Sequence, residues 1–425
     1  MSTDLARTIG FLLAGGQGTR LHDLTLTDCK PALSFAGQFR IVDFSLANAV
    51  RSGVSHLIVA SQYRPDSLHR HLARHWQPAF AEGGLLVREG PRVTGTPEGY
   101  RGTAGAVAAN IGLIDAAGAH EVMVLAGDHV YEMDYAAMVA AHRATGAAVT
   151  VATHRVSLAS AQAFGVIATD GHQRITGFAE KPRHPVPIPG LPSRVLVSLG
   201  VYVFNWPWLR AALLADAADP GSAHDFGHDI LPAAVAAGVA GTYALEAAHT
   251  LTAPHAAPQL RNAPEAYWRD VGTLDAYRLA HLDFAATPPP CALPDLPGGA
   301  RRGMTTALER ISSEHEIVFG GLLAPTPGVA GAGRRGTLLD RSVVLPGACV
   351  LTGARLTRTI VAPRTVVPAG LVVGEDADED ARWFRRTPGG TTLVTAAMLQ
   401  RRAAAQTRQI AGPGLLSAHL TSRTA

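Results

Sequence analysis

An apolar run from Ile9 to Ala14 breaks, with no spacer, into Gly15-Gly16-Gln17-Gly18-Thr19-Arg20. A short continuous apolar run bounded by turn residues reads as a buried strand. Glycines placed directly after it let the backbone take φ > 0 and approach a ligand closely. Successive N–H groups in such a turn form a concavity for phosphate oxygens, and Arg20 adds a cation. A tight corner in an α/β fold has the same look, so the turn alone leaves phosphate binding open. No Gly-Lys-Ser/Thr ends the loop, and the third glycine of the dinucleotide fingerprint is missing. Lys30-Pro31 closes the stretch.

Lysine is the second informative feature. The chain has 37 basic residues, and only Lys30 and Lys181 are lysines. A lysine is a compact point charge on a flexible stem, whereas arginine is a planar fork. Survival by chance in an arginine-biased composition is one reading. The other is selection as phosphate ligands, because both lysines precede proline, which holds the preceding residue extended.

After the glycine turn, residues 40–52 carry apolar residues at helical spacing and stop at Gly53. Leu57 to Ala60 reads as a strand ending at Ser61-Gln62-Tyr63, followed by a helix with Leu68 and Leu72. Alternating strands and helices predict an α/β domain with a mostly parallel sheet covered on both faces. Ligands of such sheets bind beyond the carboxyl ends of the strands, where the glycine turn and Gln62 both fall. Gly102-Thr103 reads as a turn and N-cap before an alanine-rich helix. Val122 to Ala126 is a strand with Asp128 at its tip. A carboxylate there holds a metal ion or caps the next element, and Asp suits Mg²⁺. His129 reads as structural. Glu180-Lys181 is a solvated surface pair or part of a pocket. His224, His228 and Asp229 suggest a metal site, but capping and packing fit them better.

Together the motifs LAGGQGTRL, KP, EGYRGTAGA, LAGDHVYEMDY, FGVIATD, ITGFAEKP, SLGVYVF and YWRDVGT resemble the sugar-nucleotide pyrophosphorylases, most closely the ADP-glucose pyrophosphorylases. The resemblance implies a Rossmann-like nucleotidyltransferase domain over residues 1–287. It implies that ATP and glucose 1-phosphate give ADP-glucose and pyrophosphate, the first committed step of glycogen synthesis. Leu13, Ala14, Gly15, Gly16, Gly18, Thr19, Gln62, Tyr100, Gly102 and Thr103 would line the nucleotide side. Arg20 and Lys30 would stabilise charge on the phosphates. Asp128 and Asp270 would share one Mg²⁺, and no general base is needed, since the nucleophile is an anion. Gly165, Glu180, Lys181 and Ser198 would hold glucose 1-phosphate. Two departures stand out: Gly99 where the family carries Trp, and Gly105 where it carries Asp. The second removes a carboxylate near the substrates. Another sugar-1-phosphate nucleotidylyltransferase and a catalytically weak regulatory subunit are the alternatives.

Pro288-Pro289-Pro290 is a stiff linker, and the texture changes after it. Val344, Val350 and Leu356 are spaced by six, as are Ile360, Val366 and Val372, the mark of a parallel β-helix. An irregular β-sandwich is the competing reading. By resemblance, residues 288–400 form a left-handed parallel β-helix used in regulation and oligomerisation, and residues 401–425 a flexible tail.

The remaining totals exclude more than they assign. A net charge of +3 without a basic block gives no sign of nucleic-acid binding. Three dispersed cysteines read as reduced thiols. No signal pattern or run long enough to span a bilayer is present, so a cytoplasmic enzyme with no membrane partner is expected. The resemblance implies a homotetramer with sugar-phosphate or nucleotide effectors. Leu26-Thr27-Asp28-Cys29 supplies an acid where the family often has a cation, which predicts a weakened response to an anionic activator such as fructose 1,6-bisphosphate.

Overall fold

The computed structural model describes residues 5–37, 39–246, 266–286, 288–297, 322–324 and 337–411. Nine strands form one sheet: β1 (Thr8–Leu13), β2 (His56–Ser61), β3 (Leu85–Glu89), β4 (Glu121–Ala126), β5 (Val149–Ser157), β6 (Gly165–Thr169), β7 (Ile175–Glu180), β8 (Arg194–Asn205) and β9 (Ala240–Ala244). Their order in space is β7-β6-β8-β4-β1-β2-β3, with β5 paired to β8 and β9 to β5. Strands β3, β2, β1 and β4 are parallel. β8 runs antiparallel to β4, β5 and β6. The expected parallel sheet therefore occupies the glycine-turn half, and the half around β5, β6 and β8 is mixed.

The apolar run of β1 is buried on both faces because helices cover both. Ile9 and Phe11 pack with Ile58, Val122 and Val124 on one side. Leu12 packs with Leu57, Val59, Met123 and Leu125 on the other. Each such fully buried side chain contributes about 1.5–3 kcal/mol over exposure. The helix Val42–Arg51 ends as its sequence predicts, with Gly53 at φ +79°.

The C-terminal part winds as three parallel ladders. One joins Leu322–Ala324, Cys349–Leu351 and Val366–Val367. A second joins Leu338–Asp340, Arg355–Thr357 and Val372–Val373. The third joins Val343–Val344, Thr359–Val361 and Thr392–Val394. This is the predicted parallel β-helix rather than a sandwich. The registers Leu339↔Leu356 and Leu356↔Val373 make a turn 17 residues long. Two six-residue steps are thus followed by one of five, which shifts the second apolar series. Val366 and Val372 are exposed, and Val361, Val367 and Val373 fill the interior instead. Ile360 is buried for another reason. With Val343 and Leu393 it faces outward onto Phe35, Leu274 and Tyr277 of the first domain, in one shared apolar cluster.

Two further expectations are corrected. The helix Ala396–Ala411 runs through the first part of the expected tail. Thr395 Oγ1 accepts from the Met398 N–H at 3.3 Å, and Met398 is buried against the β-helix, which fixes this helix at its start. Residues 412–425 lie outside the described part, as does most of the degenerate stretch before residue 337. The lysines before proline are also not extended. Lys30 opens the 3-10 turn Lys30–Ala32, and Lys181 sits at φ +46°. The Lys181 N–H donates to Phe164 O at 3.0 Å, a tertiary bond that overrides the local preference.

Candidate active site

Beyond the carboxyl ends of β1, β2 and β4 lies a cavity of about 440 Å³. Leu13, Gly15, Gly16, Gln62, Tyr100, Gly102, Thr103, Asp128 and Glu180 line it, nine of the residues singled out in the sequence. Beside the glycine turn Gln62 is held at two points. Its Oε1 accepts from the Tyr100 N–H at 2.6 Å, and its Nε2 donates to Tyr100 O at 3.4 Å. Gly18 carries φ +64°, and a Cβ on it would lie 2.9 Å from Lys30 Cβ. The glycine turn therefore closes directly over the Lys30 stem. Ala14, Gly18, Thr19, Arg20 and Lys30 lie outside the lining.

Thr103 does not cap its helix; Arg101 holds the cap position, with no side-chain bond. The Thr103 hydroxyl instead donates to Asp225 Oδ2 at 2.9 Å and accepts from the Phe226 N–H at 3.0 Å. Asp225 itself caps the short helix Phe226–Ile230, with Oδ1 accepting from Gly227 and His228. The His224–Asp225 segment is thus a capping segment, and Asp225, with Phe226 and Gly227, is also a wall of the cavity, a role the sequence reading missed. Tyr202 and Gly200 were missed as well, although they belong to the SLGVYVF motif from which only Ser198 was taken.

At the end of β7, Glu180 reaches the cavity while Lys181 stays outside it, with 57% of its side chain exposed. The two side chains form an ion pair. Gly165 does not line the cavity. A Cβ there would meet Phe178 at 2.6 Å and Glu180 Oε2 at 2.9 Å, so its bareness seats the Glu180 carboxylate. Ser198 is buried, its Oγ 3.4 Å from Tyr202 OH.

Asp128 follows β4. Asp270 ends the strand Trp268–Asp270, which pairs antiparallel with His129–Tyr131 and sets Asp270 opposite His129. That pairing brings together two carboxylates separated by about half of the domain. Lys30 lies between them, its Nζ 2.9 Å from Asp128 Oδ2 and 2.8 Å from Asp270 Oδ1, with 6% of its side chain exposed. Arg20 stands at the rim, Nη2 3.7 Å from Asp270 Oδ2. Burial works against the Lys30 charge, yet the two carboxylates outweigh it and hold its pKa above the ordinary lysine value. Burial likewise works against both carboxylates, and the Lys30 charge outweighs it, so each is held below the usual range.

His129, read as structural, joins this group: its Nε2 is 3.6 Å from Asp128 and 3.9 Å from Asp270. The three residues offer ligand atoms all within 4.8 Å of one another. Two converging carboxylates are a hard oxygen donor set, the chemistry Mg²⁺ takes. A cation, the Lys30 ammonium, already lies between them. The residues present fit a divalent ion.

The nucleotidyl transferase family matches residues 9–287, and the GlmU-like C-terminal hexapeptide family matches residues 330–394. A glucose-1-phosphate adenylyltransferase of Jannaschia sp. (strain CCS1) is 41% identical over 94% of this chain and 98% of its own length. Those of Paramagnetospirillum magneticum (41% identical, over 93% and 95%) and Rhodopseudomonas palustris strain TIE-1 (39%, over 92% and 96%) are similar throughout as well. With two family matches in the order of its two parts and relatives matched almost end to end, the chain belongs to the nucleotidyl transferase family, in its glucose-1-phosphate adenylyltransferase branch.

Proposed function

We propose that the chain transfers the adenylyl group of ATP to glucose 1-phosphate, giving ADP-glucose and pyrophosphate. A single observation carries this reading. One cavity has the glycine turn and Gln62 at one end, Glu180 and Asp225 at the other, and Asp128 beside them. A phosphate oxygen of the sugar attacks the α-phosphorus of ATP. The bond from that phosphorus to the bridging oxygen breaks, and pyrophosphate leaves with the electron pair. The protein's task is alignment of two anions and relief of their repulsion.

In this reading Gly15, Gly16 and Gly18 meet the nucleotide phosphates with backbone N–H groups, and Leu13, Ala14, Thr19, Gly102 and Thr103 shape their surroundings. Gln62, pinned to Tyr100, borders the base side. Arg20 and Lys30 offset charge on the leaving group. Glu180 accepts from sugar hydroxyls, Lys181 swings from it to the sugar phosphate, and Gly165 and Ser198 hold this wall in place. Asp128 and Asp270 would hold Mg²⁺, with His129 beside them. Such an ion supplies charge neutralisation on the phosphates.

The enzyme of this proposal works in the cytoplasm as a homotetramer, for which the β-helix of residues 288–400 is the assembly element. No helix among the described residues is long and apolar enough to cross a membrane. An anionic effector would enter between the domains. There a space of about 280 Å³ lies between Thr19, His22 and Tyr63 on one side and Arg385 on the other. Asp23 lines this space 3.9 Å from Arg385, and Leu26-Thr27-Asp28-Cys29 supplies a further acid and no cation, so activation by fructose 1,6-bisphosphate is expected to be weak. A light-scattering mass of one chain would remove the tetramer.

The deciding assay is pyrophosphate release from glucose 1-phosphate and Mg²⁺ with ATP, beside GTP, UTP and dTTP. Release with ATP is expected. Release with another nucleotide alone would move the chain to a sister activity, and no release from any pair would favour a regulatory subunit.

A further inference from the structure

We infer that Lys30 is a built-in occupant of the divalent-cation position, so that the metal settles between Asp128 and Asp270 only after a nucleotide has drawn the ammonium away. This rests on the reading that these two carboxylates hold the metal. Lys30 Nζ lies 2.9 Å from one carboxylate and 2.8 Å from the other, so it bridges the two oxygens a shared ion would need. Two cations cannot share that space, because at contact distance their repulsion is large beside the shielded Lys30 and Asp270 side chains. The ammonium itself is shielded, with 6% of the side chain exposed, while Asp128 is 39% exposed, so a metal ion arriving from solvent over Asp128 must still displace the ammonium from both carboxylates.

The structure also provides a place for the ammonium to go. The Lys30 stem runs beneath the glycine turn, in contact with Gly18. Pro31 and the turn Lys30–Ala32 fix the backbone, while four methylenes leave Nζ free to swing. A phosphate seated in the glycine turn presents new anionic oxygens within that swing. The ammonium then exchanges carboxylate for phosphate, and the two carboxylates are released together to the ion that accompanies the nucleotide. Arg20 does not block this position, since it touches only the outer edge of Asp270 at 3.7 Å and is 57% exposed. The consequence is an order of events. Metal alone binds poorly, and metal with nucleotide binds well.

The test is Mn²⁺ binding to the full-length protein, measured by loss of free Mn²⁺ signal in electron paramagnetic resonance, with and without ATP. The native protein is expected to bind Mn²⁺ at this site at least tenfold more weakly without ATP than Lys30→Met does. Adding Asp270→Asn to Lys30→Met should abolish the gain. Equal affinities of native protein and Lys30→Met would overturn the inference. If Lys30→Met does not fold, the native protein still decides, because it has only two lysines. With ¹⁵N-lysine labelling the two ammonium signals are assigned by Lys181→Arg. The Lys30 signal should stay in place with Mg²⁺ alone and move when ATP is added with Mg²⁺. Movement with Mg²⁺ alone, or none in either case, overturns the proposal. Failure of Mn²⁺ to bind even with ATP would sink the metal role of Asp128 and Asp270 as well, which separates the two failures.

Discussion

Lys30 and Lys181 are the same residue, each before a proline and each paired with a carboxylate that lines one cavity, yet they sit in opposite surroundings. Lys30 is enclosed by Asp128 and Asp270, with 6% of its side chain exposed. Lys181 is 57% exposed and paired with its own neighbour Glu180. The difference lies in the partners brought by tertiary structure. Two strands from distant parts of the chain deliver carboxylates to Lys30, while Lys181 meets a carboxylate supplied by the adjacent position. A charge enclosed by two others belongs to the fold as well as to the chemistry. A charge on an exposed pair is free to be spent on a ligand.

The contrast breaks most sharply by removing each charge. Lys30→Ala leaves two partly buried carboxylates facing each other, and breaking such a pair costs about 3 kcal/mol of stability. Denaturant melts should show this loss, and kcat should fall by about a hundredfold or more, in keeping with removal of charge stabilisation at the leaving group. A Lys30→Ala protein as stable as the parent would mean that the enclosure contributes nothing to folding. Lys181→Gln should leave the melt unchanged, since exposed pairs contribute about 0–1 kcal/mol. It should raise KM for glucose 1-phosphate by about tenfold or more, with kcat changed less, the signature of lost ground-state binding. An unchanged KM would remove Lys181 from the sugar-phosphate side.

His281 sharpens the comparison from another direction. For Lys30 the effect of burial is outweighed by carboxylates. For His281, fully buried where the two domains share their apolar cluster, burial dominates and lowers the pKa to about 4. The unfolded chain takes up that proton near pH 6.5, and the folded one only near pH 4. Protons therefore favour unfolding across that window, and stability is lost as pH falls through it. The loss between pH 7 and pH 5 should be about 2 kcal/mol. Melts of the parent and of His281→Gln at the two pH values should differ in slope by that amount. Parallel slopes would mean that His281 titrates normally.

The catalytic half was legible because its motifs are local. A strand with its glycine turn, and another strand with the carboxylate at its tip, each lie within about a dozen residues. The enclosure of Lys30 was not legible, because it depends on the pairing of Trp268–Asp270 with His129–Tyr131 across about half of the domain. Asp225 escaped for a related reason. As a helix cap it fulfils a complete local role, and only Thr103, brought from far away in sequence, shows that it also walls the cavity. In the β-helix the period of six was readable. The single five-residue step after Leu356 was not, and it alone exchanges Val366 and Val372 for Val367 and Val373 in the interior.

The smallest effect concerns the two glycines that depart from the family pattern, and they are not equivalent. Gly99 has φ +69°, and a Cβ on it would lie 2.6 Å from Gln62 Oε1. Its bareness is tied to the grip of Gln62 on Tyr100, and a large side chain there must displace that grip. Gly105 sits in the helix Gly102–Ala108, and a Cβ on it would meet nothing closer than His224 Cβ at 3.6 Å, ordinary contact. A side chain fits. Gly105→Ala should therefore stabilise the protein by about 0.5–1 kcal/mol through the unfolded chain, raising the melting temperature slightly. Gly105→Asp should fold as well as the parent and raise kcat/KM by restoring the carboxylate of the family pattern, beside His224 and Arg101. Unchanged kcat/KM in a folded Gly105→Asp would mean that Asp225 and Glu180 already supply the acceptors this side of the cavity needs. Loss of folding in Gly105→Ala would show instead that the helix packs against His224 more tightly than a 3.6 Å approach allows.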